Sequence, residues 1–207
     1  MSIKIFYHIC AINNWDVIVD SQLTKIHNSG LYNEVEVIYV NIVGEDANKC
    51  VNFIKDYGDK IKILKVDVND KSYERLTLLN IKQYITPEDK ILYIHSKGVT
   101  KPNNIYVELW RDYLEYFNIY SYKKCLFVLD QYDVCGCNIS STIKFHYSGN
   151  FWWSTGKYYL TLPNTIDDNY TSPEFYIVSN NPKMASLHNQ KNPNNLYNYK
   201  YYKRFYM

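Results

Sequence analysis

The chain of 207 residues contains only seven glycines, and none of them falls in a phosphate-binding pattern. Neither GxGxxG nor GxxxxGKS/T occurs, so the sequence signals of dinucleotide dehydrogenases and of P-loop enzymes are missing. GxSxG is missing as well, which removes the signature of hydrolases that use a serine nucleophile. Any nucleotide chemistry in this protein must therefore rest on another kind of site.

Charge of one sign and long apolar runs are also scarce. The 23 basic and 21 acidic side chains leave a formal net charge of +2, and so weak a field does not favour general DNA or RNA binding. No apolar run approaches the length that crosses a bilayer, and residues 1–13 lack the pattern of a cleavable signal. We expect no nucleic-acid partner, no transmembrane segment and no secretion.

The five cysteines, an odd number, show no CxxC pair and no Cys/His spacing of a metal site. Cys135 and Cys137 alternate along an apolar run, which is a packing pattern and not a zinc knuckle. We expect reduced, buried thiols and therefore a cytoplasmic protein.

Aromatic residues are abundant: they make up 17% of the chain, and 23 of them are tyrosines. Such rings suit sugars and bases, but tyrosine, asparagine, lysine and isoleucine are also what an AT-rich genome supplies. The tail, residues 197–206, mixes rings with cations. It could stack on nucleic acid, rest on a membrane, pack as a terminal segment or cover a ligand, and the sequence does not separate these options.

Strand and helix signals alternate in the first half of the chain, as parallel sheets require. A further amphipathic helix follows Asn104, and short apolar runs with polar breaks begin after Asp133. We predict one domain over residues 1–207, of the α/β class, with antiparallel additions and loops in its second half. The predicted strands are 3–10, 35–43, 60–66 and 90–94; the predicted helices cover 15–26, 46–57, the surroundings of Leu76 and Leu79, and 107–117; the later apolar runs are 134–139, 145–153, 158–162, 175–178 and 184–187.

In a doubly wound sheet the ligand lies outside the carboxyl ends of the strands. The predicted strand ends are residues 8–14, 43–44, 67–70 and 95–98. At the last of these, Lys97 offers a point charge to a phosphate, Ser96 offers a hydroxyl, and Gly98 allows a sharp turn. The alternative is a strand end capped by solvated polar groups.

Three motifs in order carry a family resemblance: YIHSKGVTKP, ELWRDYLEYF and SGNFWWSTGKYYLTLP. Together they resemble small GT-A-like glycosyltransferases of giant viruses, chloroviruses and bacterial polysaccharide loci. The resemblance implies a GT-A (Rossmann-like) fold with a central, mostly parallel sheet flanked by helices. It also implies sugar transfer from a nucleotide-diphosphate donor, uridine-based, to a hydroxyl of a glycan or glycoconjugate, in the host cytoplasm if the protein is viral. The alternatives are a non-catalytic glycan- or nucleotide-binding module and an aromatic-rich structural component of a particle.

The resemblance implies a divalent metal, Mn²⁺ or Mg²⁺, but the sequence reads HSK where the family usually has an acidic pair. This departure puts the usual metal ligation in doubt. His188 resembles a late histidine that some such enzymes bring to the metal, and His95 is the other candidate ligand. His188 could equally be a polar strand end.

The remaining donor-site candidates follow from their positions. Asp67 stands where the resemblance places a carboxylate against uracil or ribose, although its surroundings are also good turn chemistry. His8 and Asn13 end the first strand, and His95 and Ser96 end the fourth. Arg111 follows the apolar Trp110 and could point to the phosphates or lie on the surface, whereas Trp110 is expected in the core.

Trp152 and Trp153 are adjacent and cannot share one face of a strand. We predict that one packs and the other faces a cleft, where it stacks on a sugar while Asn150 binds hydroxyls; the alternative is that both lie in the core. Glu174 is the carboxylate nominated for catalysis beside Lys97, as a base or as a stabiliser of the transition state. It could also be surface decoration beside Pro173.

Overall fold

The computed structural model describes residues 2–69, 71, 73–141 and 144–190. Asp70 and the tyrosine-rich tail lie outside these residues. Across the described ranges, no helix is long and apolar enough to cross a membrane.

The described chain contains nine strands. Seven of them form one sheet in the order β3-β2-β1-β4-β8-β5-β9, and β6 pairs with β7 in a separate ribbon. The strands are β1 (Ile3–Cys10), β2 (Val37–Val43), β3 (Ile61–Asp67), β4 (Lys90–His95), β5 (Val134–Gly136), β6 (Ile139–Ser140), β7 (His146–Tyr147), β8 (Trp152–Thr155) and β9 (Met184–Ser186).

Helices follow each of the first four strands and recur in the second half. Short 3-10 turns extend two of them at Lys55–Tyr57 and Ile81–Tyr84, and a π-helical turn covers Tyr116–Tyr120. The helices are α1 (Trp15–Asn28), α2 (Leu31–Glu34), α3 (Ala47–Ile54), α4 (Arg75–Asn80), α5 (Ile105–Glu115), α6 (Tyr122–Val128), α7 (Gly156–Tyr159) and α8 (Ser172–Tyr176).

The central sheet is mostly parallel. β1, β2, β3 and β4 pair in parallel, β8 pairs antiparallel with both β4 and β5, and β9 pairs in parallel with β5. Only β8 therefore runs against the other strands of this sheet in the described chain. The predicted fold class, a mostly parallel α/β sheet of the GT-A type, is confirmed.

Each sheet face is covered by its own set of helices. Ile5, Tyr7 and Ile9 of β1 pack on one side with residues of α1, α3, α5 and α6. Phe6 packs on the other side with residues of α4, α7 and α8. Alternate residues of β1 thus enter two separate cores, which explains why this strand reads as a continuous apolar run.

The four predicted βα units are present with small shifts in their boundaries. β2 begins at Val37 instead of residue 35 because residues 31–34 form the helical turn α2, whose C-cap is Val35. The predicted helix 46–57 narrows to α3 and a 3-10 turn. α5 begins as expected, because the Asn104 side chain accepts hydrogen bonds from the backbone N–H groups of Tyr106 and Val107.

The second half departs further from the prediction. Residues 158–162 and 175–178, expected as antiparallel additions or loops, overlap the short helices α7 and α8. The apolar side chains Tyr159 and Tyr176 pack on the sheet from these helices. Short apolar runs do not distinguish buried strands from buried helical turns.

Candidate functional site

A cleft opens at the carboxyl ends of β1 and β4. β1 has β2 on one side and β4 on the other, so the strand order reverses here, and such switch points are where open α/β sheets bind ligands. His8 and His95 are partners in the register of the two strands. The cleft, of about 190 Å³, is lined by His8, Cys10, Val43, Tyr73, Glu74, residues 95–101, Val107, Tyr170, Pro173 and Glu174.

Ser96 joins the two strand ends at the floor of the cleft. Its backbone N–H donates to the carbonyl of His8 at 3.0 Å, and its Oγ accepts from the backbone N–H of Cys10 at 2.8 Å. Ser96 is buried, so these bonds hold the floor rigid. The serine that was predicted to meet a phosphate also has this structural task.

The loop after β4 is held in place by two side chains from other elements. Arg111 Nη1 donates to the carbonyl of Lys97 at 3.0 Å, and Asn13 Nδ2 donates to the carbonyl of Val99 at 2.8 Å. Gly98 adopts a φ of 103°, and a Cβ there would lie 3.0 Å from Arg111 and from Val107. The predicted sharp turn at Gly98 is confirmed, and the loop packs too closely to admit a side chain.

Lys97 is the central cation of the cleft. Its Nζ lies 3.6 Å from the centroid of the Trp110 ring, a cation–π contact. The side chain is half-buried, and burial lowers the pKa of Lys97 below its ordinary value, although the carboxylates Glu174 and Glu74 act in the opposite direction. Lys97 thus presents a partly desolvated charge, which binds an anion more strongly than a fully hydrated ammonium would.

The two histidines of the cleft are neutral near pH 7. Burial lowers the pKa of His8 to about 4, and burial together with the charge of Lys97 lowers the pKa of His95 to about 3. His95 Nε2 donates to the carbonyl of Gly149 at 3.0 Å, so Nδ1 carries the lone pair of this ring. Nδ1 of His8 shares a hydrogen bond of 2.8 Å with the Thr77 hydroxyl.

Glu74 lines the cleft together with Lys97, and the sequence analysis missed it. Its Oε2 accepts from the Tyr93 hydroxyl at 2.7 Å and from Asn150 Nδ2 at 2.5 Å. These two donors fix the orientation of the Glu74 carboxylate in the cleft. No local pattern marks Glu74, since its partners stand 19 and 76 positions away in the chain.

Glu174, in the first turn of α8, also lines the cleft. Its side chain is 37% exposed, and its Oε2 lies 3.7 Å from Nε2 of His146. His146 Nδ1 is in turn 2.8 Å from the carbonyl of Lys144, to which it donates. The structure thus brings the two residues predicted for catalysis, Glu174 and Lys97, into the lining of one cleft.

Three donor-site candidates lie behind the cleft and not in its lining. Arg111 is buried and holds the Lys97 carbonyl, with its Nε 3.7 Å from Glu115. Asn13 holds the loop at Val99 instead. Asp67 accepts from the backbone N–H of Asn69 at 3.0 Å, the turn chemistry that the sequence left open. The structure shows a supporting contact for Arg111 and for Asn13 and a turn contact for Asp67; that these side chains reach the donor stays a prediction.

The predicted sugar pocket at Asn150, Trp152 and Trp153 does not exist. Both tryptophans are fully buried, with 0% exposure, Trp152 in the core on one sheet face and Trp153 in the core on the other. They point to opposite sides, as predicted, but helices cover both sides. Asn150 has a φ of 54°. Its Oδ1 accepts a hydrogen bond from Trp152 Nε1 at 2.9 Å, and its Nδ2 donates to Glu74 Oε2. Trp110 lies in the core, as expected.

His188 also lies away from the cleft. Its ring stacks on Phe117 with centroids 5.2 Å apart, and its Nδ1 shares a hydrogen bond of 2.9 Å with the Tyr113 hydroxyl. Within the described ranges no three His, Cys, Asp or Glu side chains form a group that could hold a metal ion. The expected metal ligands His188 and His95 are therefore not brought together.

The five cysteines are free thiols. Four are buried, and Cys10 is half-buried at the floor of the cleft. Burial raises the pKa of the Cys50 thiol to about 12, so this group is inert. Burial also raises the pKa of Cys125 and of Cys137 well above the ordinary thiol value, so these two lack the depressed pKa of a reactive cysteine.

Comparison with known proteins adds a family and a fold. Residues 6–201 match the profile of the family described as domain of unknown function (DUF8361). No curated protein sequence matches the chain.

Two crystal structures superpose on most of the chain. HddC from Yersinia pseudotuberculosis, in complex with GMP-PN, gives a TM-score of 0.55 at 11% identity and covers 91% of this chain and 90% of that chain. Rv0371C from Mycobacterium tuberculosis H37Rv, in complex with manganese, gives a TM-score of 0.54 at 8% identity and covers 91% and 88%. At these identities the likeness shows the fold alone.

Proposed function

Since the chain belongs to the DUF8361 family, whose description assigns no chemistry, we propose its function from the cleft. The protein is a nucleotide-dependent transferase. Its reaction is that of a glycosyltransferase, which moves a sugar from a nucleotide-diphosphate donor, a UDP-sugar, to a hydroxyl of a glycan or glycoconjugate.

One observation carries this proposal: the partly buried ammonium of Lys97 lines a cleft at the strand-order switch together with two carboxylates, Glu174 and Glu74, whose charges act on it. A diphosphate gains negative charge as its bond to the sugar breaks. A fixed cation at that place stabilises the transition state more than the ground state. Glu74 and Glu174 repel phosphate, which favours binding of the diphosphate at Lys97 over binding beside the carboxylates.

The fold gives general support. The HddC structure, which shares it, was solved with GMP-PN, and the Rv0371C structure with manganese. The resemblance of the HSKG, WR and GNFWW motifs to GT-A-like glycosyltransferases supports the choice of a sugar as the transferred group.

Glu174 is better placed than Glu74 to act on the acceptor. Glu74 already accepts two hydrogen bonds, whereas the Glu174 side chain is 37% exposed and lines the cleft. Glu174 takes the proton of the acceptor hydroxyl while the hydroxyl oxygen bonds to the anomeric carbon. The bond from that carbon to the phosphate oxygen breaks, and the nucleoside diphosphate leaves with the electron pair beside Lys97.

A divalent metal, Mn²⁺ or Mg²⁺, is not part of this derivation. Among the described residues, no three His, Cys, Asp or Glu side chains form a group that could hold it. Glu74 also accepts two hydrogen bonds, and one nitrogen of each cleft histidine has a partner. The described residues thus do not fit a metal held by the protein, and Lys97 supplies the charge that a metal would otherwise provide.

The experiment is a turnover assay with a panel of UDP-sugars, with and without Mn²⁺, in the presence of saccharide acceptors. We expect release of UDP that depends on the acceptor. Binding of UDP without turnover of any donor would favour the non-catalytic binding module instead. No affinity for UDP or for any UDP-sugar would overturn the proposal.

A further inference from the structure

Two exposed tyrosines meet at the mouth of the cleft. Tyr73 is 42% exposed and Tyr170 is 70% exposed, and their rings are edge to face with centroids 5.3 Å apart. Both line the cleft, as do Glu74 and Glu174. Large aromatic rings that remain exposed beside a cleft mark a place for a ligand.

Arg75 holds the two tyrosines together by binding the segment that carries Tyr170. Arg75 Nε donates to the carbonyl of Asp167 at 2.9 Å, and Nη2 donates to the carbonyl of Asn169 at 2.6 Å. The guanidinium also lies 5.6 Å from the Tyr73 ring centroid. Arg75 thereby ties the segment that carries Tyr170 to the start of α4, which follows Tyr73 directly.

Backbone strain occurs on both sides of Glu74's contacts. Tyr73, the residue before Glu74, has a φ of 45°, and Asn150, the amide donor to Glu74, has a φ of 54°. A bulky residue such as tyrosine rarely adopts a left-handed conformation, so the backbone at Tyr73 is strained. In the folded chain this conformation brings the Tyr73 ring to the cleft mouth and Glu74 into the cleft beside it.

We infer that Tyr73, Tyr170, Glu74 and Glu174 form the subsite that holds the acceptor saccharide. Tyrosine faces stack on the apolar C–H side of a pyranose, and carboxylates accept hydrogen bonds from its hydroxyls. A diphosphate is repelled by the same carboxylates. Because the rings stand at the solvent edge, the rest of a longer glycan can extend away from the protein.

This inference rests on the proposed function for the identity of the ligand as an acceptor, but its test does not need turnover. Saturation-transfer NMR would be recorded with the methyl glycosides of glucose, galactose, mannose and N-acetylglucosamine, with and without UDP. UDP binding would be measured separately by calorimetry. The variants are Tyr73→Ala, Tyr170→Ala, their phenylalanine counterparts, and Tyr120→Ala as a control at an exposed tyrosine outside the cleft.

We expect saturation of the ring C–H protons of at least one glycoside. The alanine variants should weaken its binding about tenfold, the Phe variants should keep it, and Tyr120→Ala should have no effect. Binding of UDP should be unchanged in all of them.

Three results would overturn the inference: no glycoside receives saturation, the alanine variants bind it as the wild type does, or the uracil protons of UDP lose saturation in the alanine variants. The last result would assign the pair to the base. Absence of UDP binding to the wild type, in contrast, would contradict the proposed function. The glycoside experiment would then still test the subsite, because it does not depend on UDP.

Discussion

The ammonium of Lys97 lies 3.6 Å from the centre of the Trp110 ring, and Trp110 itself is buried in the core. A core residue therefore fixes the position of the cation that faces the cleft. Cation–π contacts of desolvated lysines contribute up to about 2 kcal/mol, enough to hold a flexible side chain in one place.

Replacing Trp110 should weaken nucleotide binding through Lys97. Trp110→Phe keeps a smaller ring, and Trp110→Leu removes it, so affinity for UDP should fall in the order Trp, Phe, Leu, by up to about tenfold. Calorimetric titration measures the affinity, and a thermal melt identifies variants that lose the fold. A Phe variant and a folded Leu variant that bind UDP as tightly as the wild type would show that Trp110 only packs.

Glu174→Gln should abolish transfer while UDP still binds. Loss of a general base costs about 10²–10⁴-fold in rate, and the cation that binds the diphosphate is untouched. Steady-state release of UDP gives the rate, and calorimetry gives the affinity. Glu88→Gln, an exposed position in the turn before β4, is the matched control and should transfer normally. An active Glu174→Gln variant would show that another group takes the proton of the acceptor hydroxyl.

UDP affinity should decline as the pH rises, and the decline should begin at a lower pH than it would if Lys97 had the ordinary pKa of a lysine. The protonated Lys97 binds the diphosphate, and burial lowers the pKa of this group, so the charge is lost as pH rises through that lowered value. The phosphates of UDP are fully ionised above about pH 8 and contribute no change there. Titrations from pH 8 to 11 would show the decline. It should be smaller in Lys97→Arg, where ionisation of the uracil N3–H of UDP is the change that remains. A wild-type profile that stays flat to pH 10.5 would contradict this account.

His8 should make the fold sensitive to acid. Its pKa is about 4 in the folded protein and about 6.5 in the unfolded chain. The unfolded state therefore binds the extra proton first as pH falls. Stability is complete above pH 6.5 and declines toward pH 4, by about 2 kcal/mol at pH 5.

His8→Gln cannot titrate, so its free energy of unfolding should fall less than that of the wild type between pH 7 and 5. Urea unfolding at the two pH values measures this difference. Equal losses in the two proteins would mean that His8 keeps an ordinary pKa.

Much of the fold was predictable because local periodicity determines it. The residues of β1 enter two cores, so its sequence is a continuous apolar run. The start of α5 was predictable because Asn104 is a typical N-cap residue. The position of the cleft followed from the rule on strand ends, and Lys97 was named from it. These inferences need only local sequence and the geometry of parallel sheets. Glu174 was named because the transfer that the family resemblance implies needs a carboxylate.

The parts that were missed depend on contacts between distant residues. Whether Trp152 or Trp153 faced solvent depended on α7, which covers one side of β8 and had no sequence signal distinct from a strand. Glu74 is set by Tyr93 and Asn150, which meet it only in the folded chain. Arg111 reached the Lys97 carbonyl because the loop after β4 folds back over α5.

The most direct test is a calorimetric titration of UDP into the wild-type protein, Lys97→Met and Lys124→Met, an exposed lysine on α6 that serves as the matched control. The account predicts that the wild type and Lys124→Met bind UDP with the same affinity and bind uridine much more weakly. It predicts that Lys97→Met, still folded, loses at least about tenfold, the factor that corresponds to about 1.4 kcal/mol. A folded Lys97→Met variant that binds UDP as the wild type does would contradict it.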